Sequence, residues 1–316
     1  MKKIITALVL GSSLFATAAA SAAPVTLNGE TAIKFNREKE DDSAHSGTAY
    51  TLKLMAETKL NDNLSAYARL GAQNVGKNLV GVDFNTDAYS DKTSVIAIDQ
   101  FGLILEEGNL TYKLGRQDAA VGTTALLYGR LDSNIGKDSF VDGLSVAGTI
   151  GVTDISALLA REDNTTGGNN YVYALRTGYN LSGDTNVGLT LGRFDNSAGP
   201  STNHWAIDGT YNYGRNSWTA EFGKSNSNTD NTALAVVWNY DRNDKTAFSV
   251  TGFRVEANGA MGEQSDFGSN LRGVHYAISH SIKDNTAFEF VFKDEKDLGD
   301  SPKKYKTYEA TLSYTF

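Results

Sequence analysis

The sequence predicts an all-β fold: a transmembrane antiparallel up-and-down β-barrel of sixteen strands, with short turns on one rim and long loops on the other. Three observations predict it. Apolar and polar side chains alternate over segments of about ten residues, the length a tilted strand needs to cross a bilayer. The polar connections between them alternate between short and long. Tyr and Trp gather at segment ends, where amphipathic rings suit a membrane boundary.

The chain opens on Lys2 and Lys3, an apolar run from Ile4 to Ala20, and the small residues Ala20, Ser21, Ala22 and Ala23. A charged start, an apolar centre and a small-residue end are the regions of a secretory leader. Residues 1–23 are therefore expected to be cleaved, leaving 24–316 as one domain. After Ala23 no window approaches the ~18 to 20 apolar residues of a membrane helix. Cysteine is absent and proline occurs only at Pro24, Pro200 and Pro302, which excludes a disulfide scaffold, a Cys-ligated zinc site and thiol catalysis. Asp and Glu number 37 against 29 Lys and Arg, two of them in the leader, a balance that argues against nucleic acid as a partner.

The expected strands are Val25–Phe35, Ala49–Lys59, Leu64–Gln73, Val95–Glu106, Leu110–Gln117, Leu144–Gly151, Asp154–Glu162, Asn170–Leu181, Thr185–Phe194, Thr202–Tyr213, Asn216–Lys224, Thr232–Tyr240, Thr246–Val255, Leu271–Ile282, Thr286–Lys293 and Lys304–Phe316. Asn61-Asp62-Asn63, Glu107-Gly108-Asn109 and Lys283-Asp284-Asn285 typify the short turns, whose residues tolerate positive φ. The other connections are longer, beginning with Asn36 to Thr48. An open sheet of this size would leave two unpaired edges, so closure is the economical solution.

Alternation gives the strands two faces. Val25, Leu27, Ile33 and Phe35 share one, and Thr26, Asn28, Glu30 and Lys34 the other; elsewhere the polar face carries Lys53, Glu57, Arg69, Gln73, Arg176, Asp208, Glu221, His275 and Glu309. Charges of this density could not line a dry core. They require water, and sixteen strands enclose room for it. The longest connection, Asp118 to Gly143, has an apolar centre with Val121, Leu126, Leu127, Tyr128 and Leu131, so it is expected to fold inward onto the wall.

A leader, sixteen amphipathic strands, a long third loop following "LTYKLGRQ" and a terminal Phe316 together resemble the general-diffusion porins of Gram-negative outer membranes. The Pro-Glu-Phe-Gly-Gly motif of enterobacterial third loops is not present. The resemblance implies a β-barrel in the cell outer membrane with periplasmic turns and extracellular loops, forming a water-filled channel for passive diffusion of ions and small hydrophilic solutes. It also implies association as a homotrimer, contact with outer-membrane lipids, no cofactor, no metal and no catalysis. The third loop is expected to narrow the pore, with Asp118, Asp132, Asp138 and Asp142 as the acidic side and Lys34, Lys53, Arg69, Arg116 and Arg176 as the basic wall. Strand parity makes Lys34, Lys53, Arg69 and Arg176 lumenal, whereas Arg116 shares the parity of Leu114 and needs a bulge or a rim position. Phe316 is expected to close the seam against the strand from Val25 and to be read by the barrel assembly machinery. The Asn74 to Ser94 loop is the expected clasp on a neighbouring barrel.

Three other readings stay open at this level. A solute-specific channel would line its path with aromatics, while here most fall on the apolar face. An adhesive or structural barrel would use charged segments such as "NREKEDDSAHSG". A barrel hydrolase would take its base from His45, His204, His275 or His280; His275 and Ser279 share a strand face but lie about 13 Å apart, too far to touch, so the nucleophile would have to come from another strand.

Overall fold

The structure, a computed structural model, describes residues 24–75, 94–131, 135–136, 138–164 and 168–316. The expected leader, most of the Asn74 to Ser94 loop, Asp132 and Lys137 lie outside the described residues. Sixteen antiparallel strands close into one barrel. They are β1 (Val25–Glu40), β2 (Ser43–Lys59), β3 (Leu64–Val75), β4 (Ser94–Glu107), β5 (Leu110–Gln117), β8 (Val141–Ile150), β9 (Thr153–Glu162), β10 (Tyr171–Ser182), β11 (Thr185–Asp195), β12 (Thr202–Tyr213), β13 (Asn216–Ser225), β14 (Thr232–Asn243), β15 (Thr246–Val255), β16 (Leu271–Lys283), β17 (Thr286–Asp297) and β18 (Lys304–Thr315). Two short strands, β6 (Ala119–Val121) and β7 (Tyr128–Arg130), pair only with each other inside the third long connection. β18 pairs with β1, so no edge is left open to template another chain.

The short turns work as their composition dictates. Gly108, Gly151 and Gly214 take φ of +60°, +64° and +58°, a region where a Cβ is unwelcome. At the other rim the expectation of an Asn36–Thr48 loop is overturned. β1 and β2 continue pairing as far as Glu40↔Ser43, and Asp41 turns the chain with φ +47°. The charged run Asn36–Glu40 keeps strand period and pairs on both sides, because β18 extends the sheet to the same height. It was polarity, not lack of pairing, that made this segment read as a loop.

The outward face is an exposed apolar band. Leu27, Ile33, Ile98, Leu114, Leu159, Leu191 and Ile207 are all exposed. Cross-strand ring stacks flank the band, among them Tyr211 with Trp218 and Phe292 with both Tyr276 and Tyr308. A band of that extent belongs against lipid, not water.

The buried core lies inside the barrel. One apolar cluster joins Val121, Leu127 and Tyr128 of the third connection and Met261 of the Glu256–Asn270 connection to Leu158, Ala160, Val172, Phe194 and Ala206 of the wall. A second joins Leu126, Ala260 and Phe267 to Ala233, Ala235, Phe253 and Val255. The inner face is therefore not uniformly polar. Where the loops seat, it carries small side chains that leave room, and a Cβ on Gly223 would come within 2.7 Å of Leu127 Cδ2.

Candidate functional site: the lumen and its two inserted loops

The third connection crosses the lumen between two walls. It leaves β5 at Asp118, whose carboxylate accepts a hydrogen bond from Lys113 Nζ at 3.0 Å. Lys113 lies 5.0 Å from the centre of the Tyr67 ring, a favourable cation-π distance. The β6–β7 hairpin then reaches β13. There Thr124 donates its backbone N–H at 2.7 Å and its hydroxyl at 2.8 Å to the same oxygen of Glu221. Gly122, at φ +94°, fits against that carboxylate where a side chain would collide with it.

The hairpin returns to the rim through Arg130. Its guanidinium donates to Asp163 Oδ1 at 2.9 Å, to Phe140 O at 3.0 Å and to Asn164 Oδ1 at 2.8 Å, and sits 3.1 Å from Glu162. Tyr128 donates its hydroxyl to Glu162 at 3.0 Å. Burial pushes the Tyr128 hydroxyl well above its ordinary pKa, and it pushes the Asp163 carboxyl up as well. Beyond this knot the loop crosses to β3 and β4. Gly136 N–H donates to Asp99 Oδ2 at 2.9 Å, and Asp99 grips Arg69 with both oxygens, at 2.9 and 3.0 Å. The Phe140 ring covers that guanidinium at 4.9 Å.

Asp99 is available because the β3–β4 register slips. Arg69 faces Gln100 and Leu70 faces Ile98, so Asp99 is the extra residue of a bulge. Ile98 and Phe101 both stay outward while Asp99 turns in. Strict alternation could not have located it.

The Glu256–Asn270 connection also enters the lumen, which its length alone did not announce. Met261 N–H donates to Leu127 O at 2.8 Å, Gly129 N–H to Gln264 O at 2.6 Å, and Asp266 N–H to Ala125 O at 3.3 Å. The two loops thus form one inserted body. Met261 and Phe267, isolated apolar residues in a polar connection, were the available signal.

The expected constriction charges are distributed differently from a two-sided array. Lys34, Lys53, Arg69 and Arg176 occupy inward register positions, as parity requires. Lys34 sits between Ala49 and Thr311, and Lys53 lies 3.9 Å from Glu30. Arg69 is buried on Asp99, and Arg176 holds Asp208 with both branches at 2.6 and 3.1 Å. Asp118 is matched by Lys113. Asp138, at φ +60°, lies on the loop's return near Arg116 and Asp163.

Arg116 and Asp142, expected on opposite sides of the pore, are partners on the same wall, at 2.9 and 3.0 Å. Arg116 is opposite Phe101 and Asp142 opposite Arg161, two residues above the outward Leu114–Leu144–Leu159 row. The register puts the trio at the long-loop rim on the outward face. Asp142 could not have been placed from the loop it follows, because its facing depends on where β8 begins pairing.

β1, β2, β17 and β18 contribute to neither apolar cluster. Their inward positions carry Glu30, Glu57, Glu289, Glu295 and Glu309 against Lys34, Lys53 and Lys293, all at least partly exposed. Lys293 pairs with Glu309 at 2.9 Å, and Glu295 with His275 at 2.9 Å. This charged wall, which adds nothing to either apolar cluster, is the candidate solute path.

No protein-family model matches the chain, and no curated protein matches it in sequence. Solved structures do. OmpF from Salmonella typhi, in complex with daunomycin, is 11% identical with a TM-score of 0.61, covering 93% of this chain and 98% of that one. The anion-selective porin from Comamonas acidovorans is 13% identical with a TM-score of 0.61, covering 93% and 99%. A loop-deletion mutant of OmpT from Vibrio cholerae is 12% identical with a TM-score of 0.58, covering 94% and 100%. At such identities the agreement lies in the backbone, and by that backbone the chain is a sixteen-stranded barrel of the porin fold.

Proposed function

We propose that the protein is an outer-membrane porin, a water-filled channel through which ions and small hydrophilic solutes pass by diffusion. The observation that carries this reading is the inversion of the barrel: an exposed apolar band outside, and partly exposed ionisable side chains inside on a wall that adds nothing to either apolar cluster. Such charges need water around them. The inserted body of two loops narrows the path, and the solute moves along the side of β1, β2, β17 and β18. Asp118 and Asp132 act from the loop, and Lys34 and Lys53 from the wall. Arg69 and Arg176 hold carboxylates in place on the same lining, and Arg116, Asp138 and Asp142 shape the entrance. The excess of Glu over Lys along the path favours cations, since wall charges bias permeation by sign.

Purified protein in a planar bilayer is expected to open channels whose reversal potential in a salt gradient has the cation sign. Lys34→Gln and Lys53→Gln should increase that preference. No conductance above a bare bilayer would sink the reading. Cleavage after Ala22 or Ala23, trimer formation and recognition of Phe316 by the assembly machinery belong to the same proposal. Mass spectrometry of the mature chain, chemical cross-linking and in-cell assembly assays test them.

A further inference from the structure

Four cations stand in one register row near the long-loop rim. Arg254 of β15 is opposite Arg272 of β16, Arg272 is opposite Lys296 of β17, and Lys296 is opposite Lys304 of β18. All four share the outward parity of the rows below them. Neighbouring strands lie about 4.8 Å apart, so the four side chains project from within about 15 Å. Like charges directly opposite one another destabilise a sheet, and such a row asks for an anion.

The protein supplies little of one. Arg254 lies 3.2 Å from Glu256, and Asp41 accepts only the backbone N–H of Lys304. Among the described residues, the side chains of Arg272, Lys296 and Lys304 have no hydrogen-bond or ion-pair partner. Asp294, one row lower, is 4.0 Å from Lys306, and Glu295 and Asp297 have inward parity. The row on β5, β8 and β9 is built differently. There Asp142 stands between Arg116 and Arg161 and pairs with both.

Height on the barrel says what the row meets. Four residues nearer the short-turn rim on β16, the stacked rings of Tyr276, Phe292 and Tyr308 mark the membrane boundary. The cations therefore stand just above the apolar band, at the level of lipid headgroups. We infer that Arg254, Arg272, Lys296 and Lys304 form a binding site for phosphate-bearing lipid headgroups of the leaflet at the long-loop rim. The inference rests on the membrane reading above. It requires neither conductance nor a particular solute.

The test is electron paramagnetic resonance of spin-labelled phosphatidic acid and spin-labelled phosphatidylcholine, with the full mature chain in phosphatidylcholine vesicles. Wild type is expected to hold the phosphatidic acid label in preference to the phosphatidylcholine label. Arg272→Gln/Lys296→Gln/Lys304→Gln should lower that preference by about fivefold or more, given the attraction of each surface cation to anionic lipid. Arg161→Gln/Arg193→Gln, which removes two outward arginines already paired with Asp142 and Asp195, should leave it unchanged. Equal preference in wild type and the triple variant, or an equal loss in the Arg161/Arg193 variant, overturns the inference. So does abolition of the preference by millimolar inorganic phosphate, which would reveal a free-anion site, or loss accompanied by a change from oligomer to monomer, which would assign the row to a second copy. Flotation with the vesicles is scored separately: failure to enter lipid overturns the membrane reading itself, whereas an inserted protein without the preference overturns only this site.

Discussion

Phe316 and Gly29 exchange both of their backbone hydrogen bonds across the seam, Phe316 N–H to Gly29 O at 3.0 Å and Gly29 N–H to Phe316 O at 2.9 Å. The Phe316 ring lies over Gly29, where an added Cβ would come within 2.8 Å of Cζ. Glycine here makes room for the ring that ends the barrel. Each unpaired backbone group in lipid costs several kcal/mol. Deleting Phe316, or changing Gly29→Leu, is therefore expected to cut the yield of folded barrel severalfold, measured as the heat-modifiable band after refolding into vesicles. Channels that do form should conduct as wild type. Undiminished yield would mean that β1 and β18 hold without their last pair.

Arg69 and Asp99 are both almost fully buried and doubly bonded. Asp99→Ala would take both of these bonds from the buried guanidinium and release Gly136, at a cost of about 3 kcal/mol or more. Chemical denaturation should show that loss, and single-channel records should become noisier as the loop's far end detaches. The double variant Arg69→Leu/Asp99→Leu should recover part of the stability, since it removes the buried charge together with its carboxylate. If Asp99→Ala and the double variant unfold together, the pair is not the anchor.

On the opposite wall the anchor is steric as well as polar. Gly223→Leu would occupy the place of Leu127 Cδ2. It is expected to lift the β6–β7 hairpin from β13 and raise unitary conductance. Glu221→Ala, which orphans the Thr124 N–H and hydroxyl, should act in the same direction and cost about 1.5–3 kcal/mol for a charged acceptor. Unchanged conductance in both variants would show that the hairpin does not limit flow.

Asp163 gives the loop base a pH dependence. Burial pushes its carboxyl above the usual carboxylate range, opposed by the Phe140 N–H and the Arg130 and Arg116 guanidiniums. The folded state thus holds this proton more tightly than the unfolded chain. Its contribution to stability is complete below the ordinary carboxylate pKa and is lost as pH rises through the raised value. Thermal midpoints in detergent should accordingly gain from acidification within that window, and Asp163→Asn should flatten this part of the profile. Superimposable profiles for the two proteins would contradict it.

Much of the barrel is legible in the alternation. Leu110–Gln117, Thr202–Tyr213 and Thr246–Val255 can be read to their last residue, and the other strands differ mainly by continuing further. Those extensions, Asn36–Glu40 above all, are polar on both faces, so they carry no contrast from which burial could be inferred. The inward course of the third connection is legible from Leu126, Leu127 and Tyr128, which are fully buried. Its anchors Asp99, Glu221 and Asp163 are not, because nothing local separates a carboxylate that holds a loop from one that faces water.

What the sequence determined by itself was the number of strands, the identity of the lipid-facing side and the need for a wet interior, since period and polarity are local properties of the chain. Tertiary structure decided which charge meets which. A one-residue bulge turned Asp99 onto Arg69, register set Asp142 beside Arg116 on the outer rim, and two loops distant in sequence met over Leu127. Ion pairing depends on separations of a few ångströms between strands, and those distances are fixed only when the sheet closes.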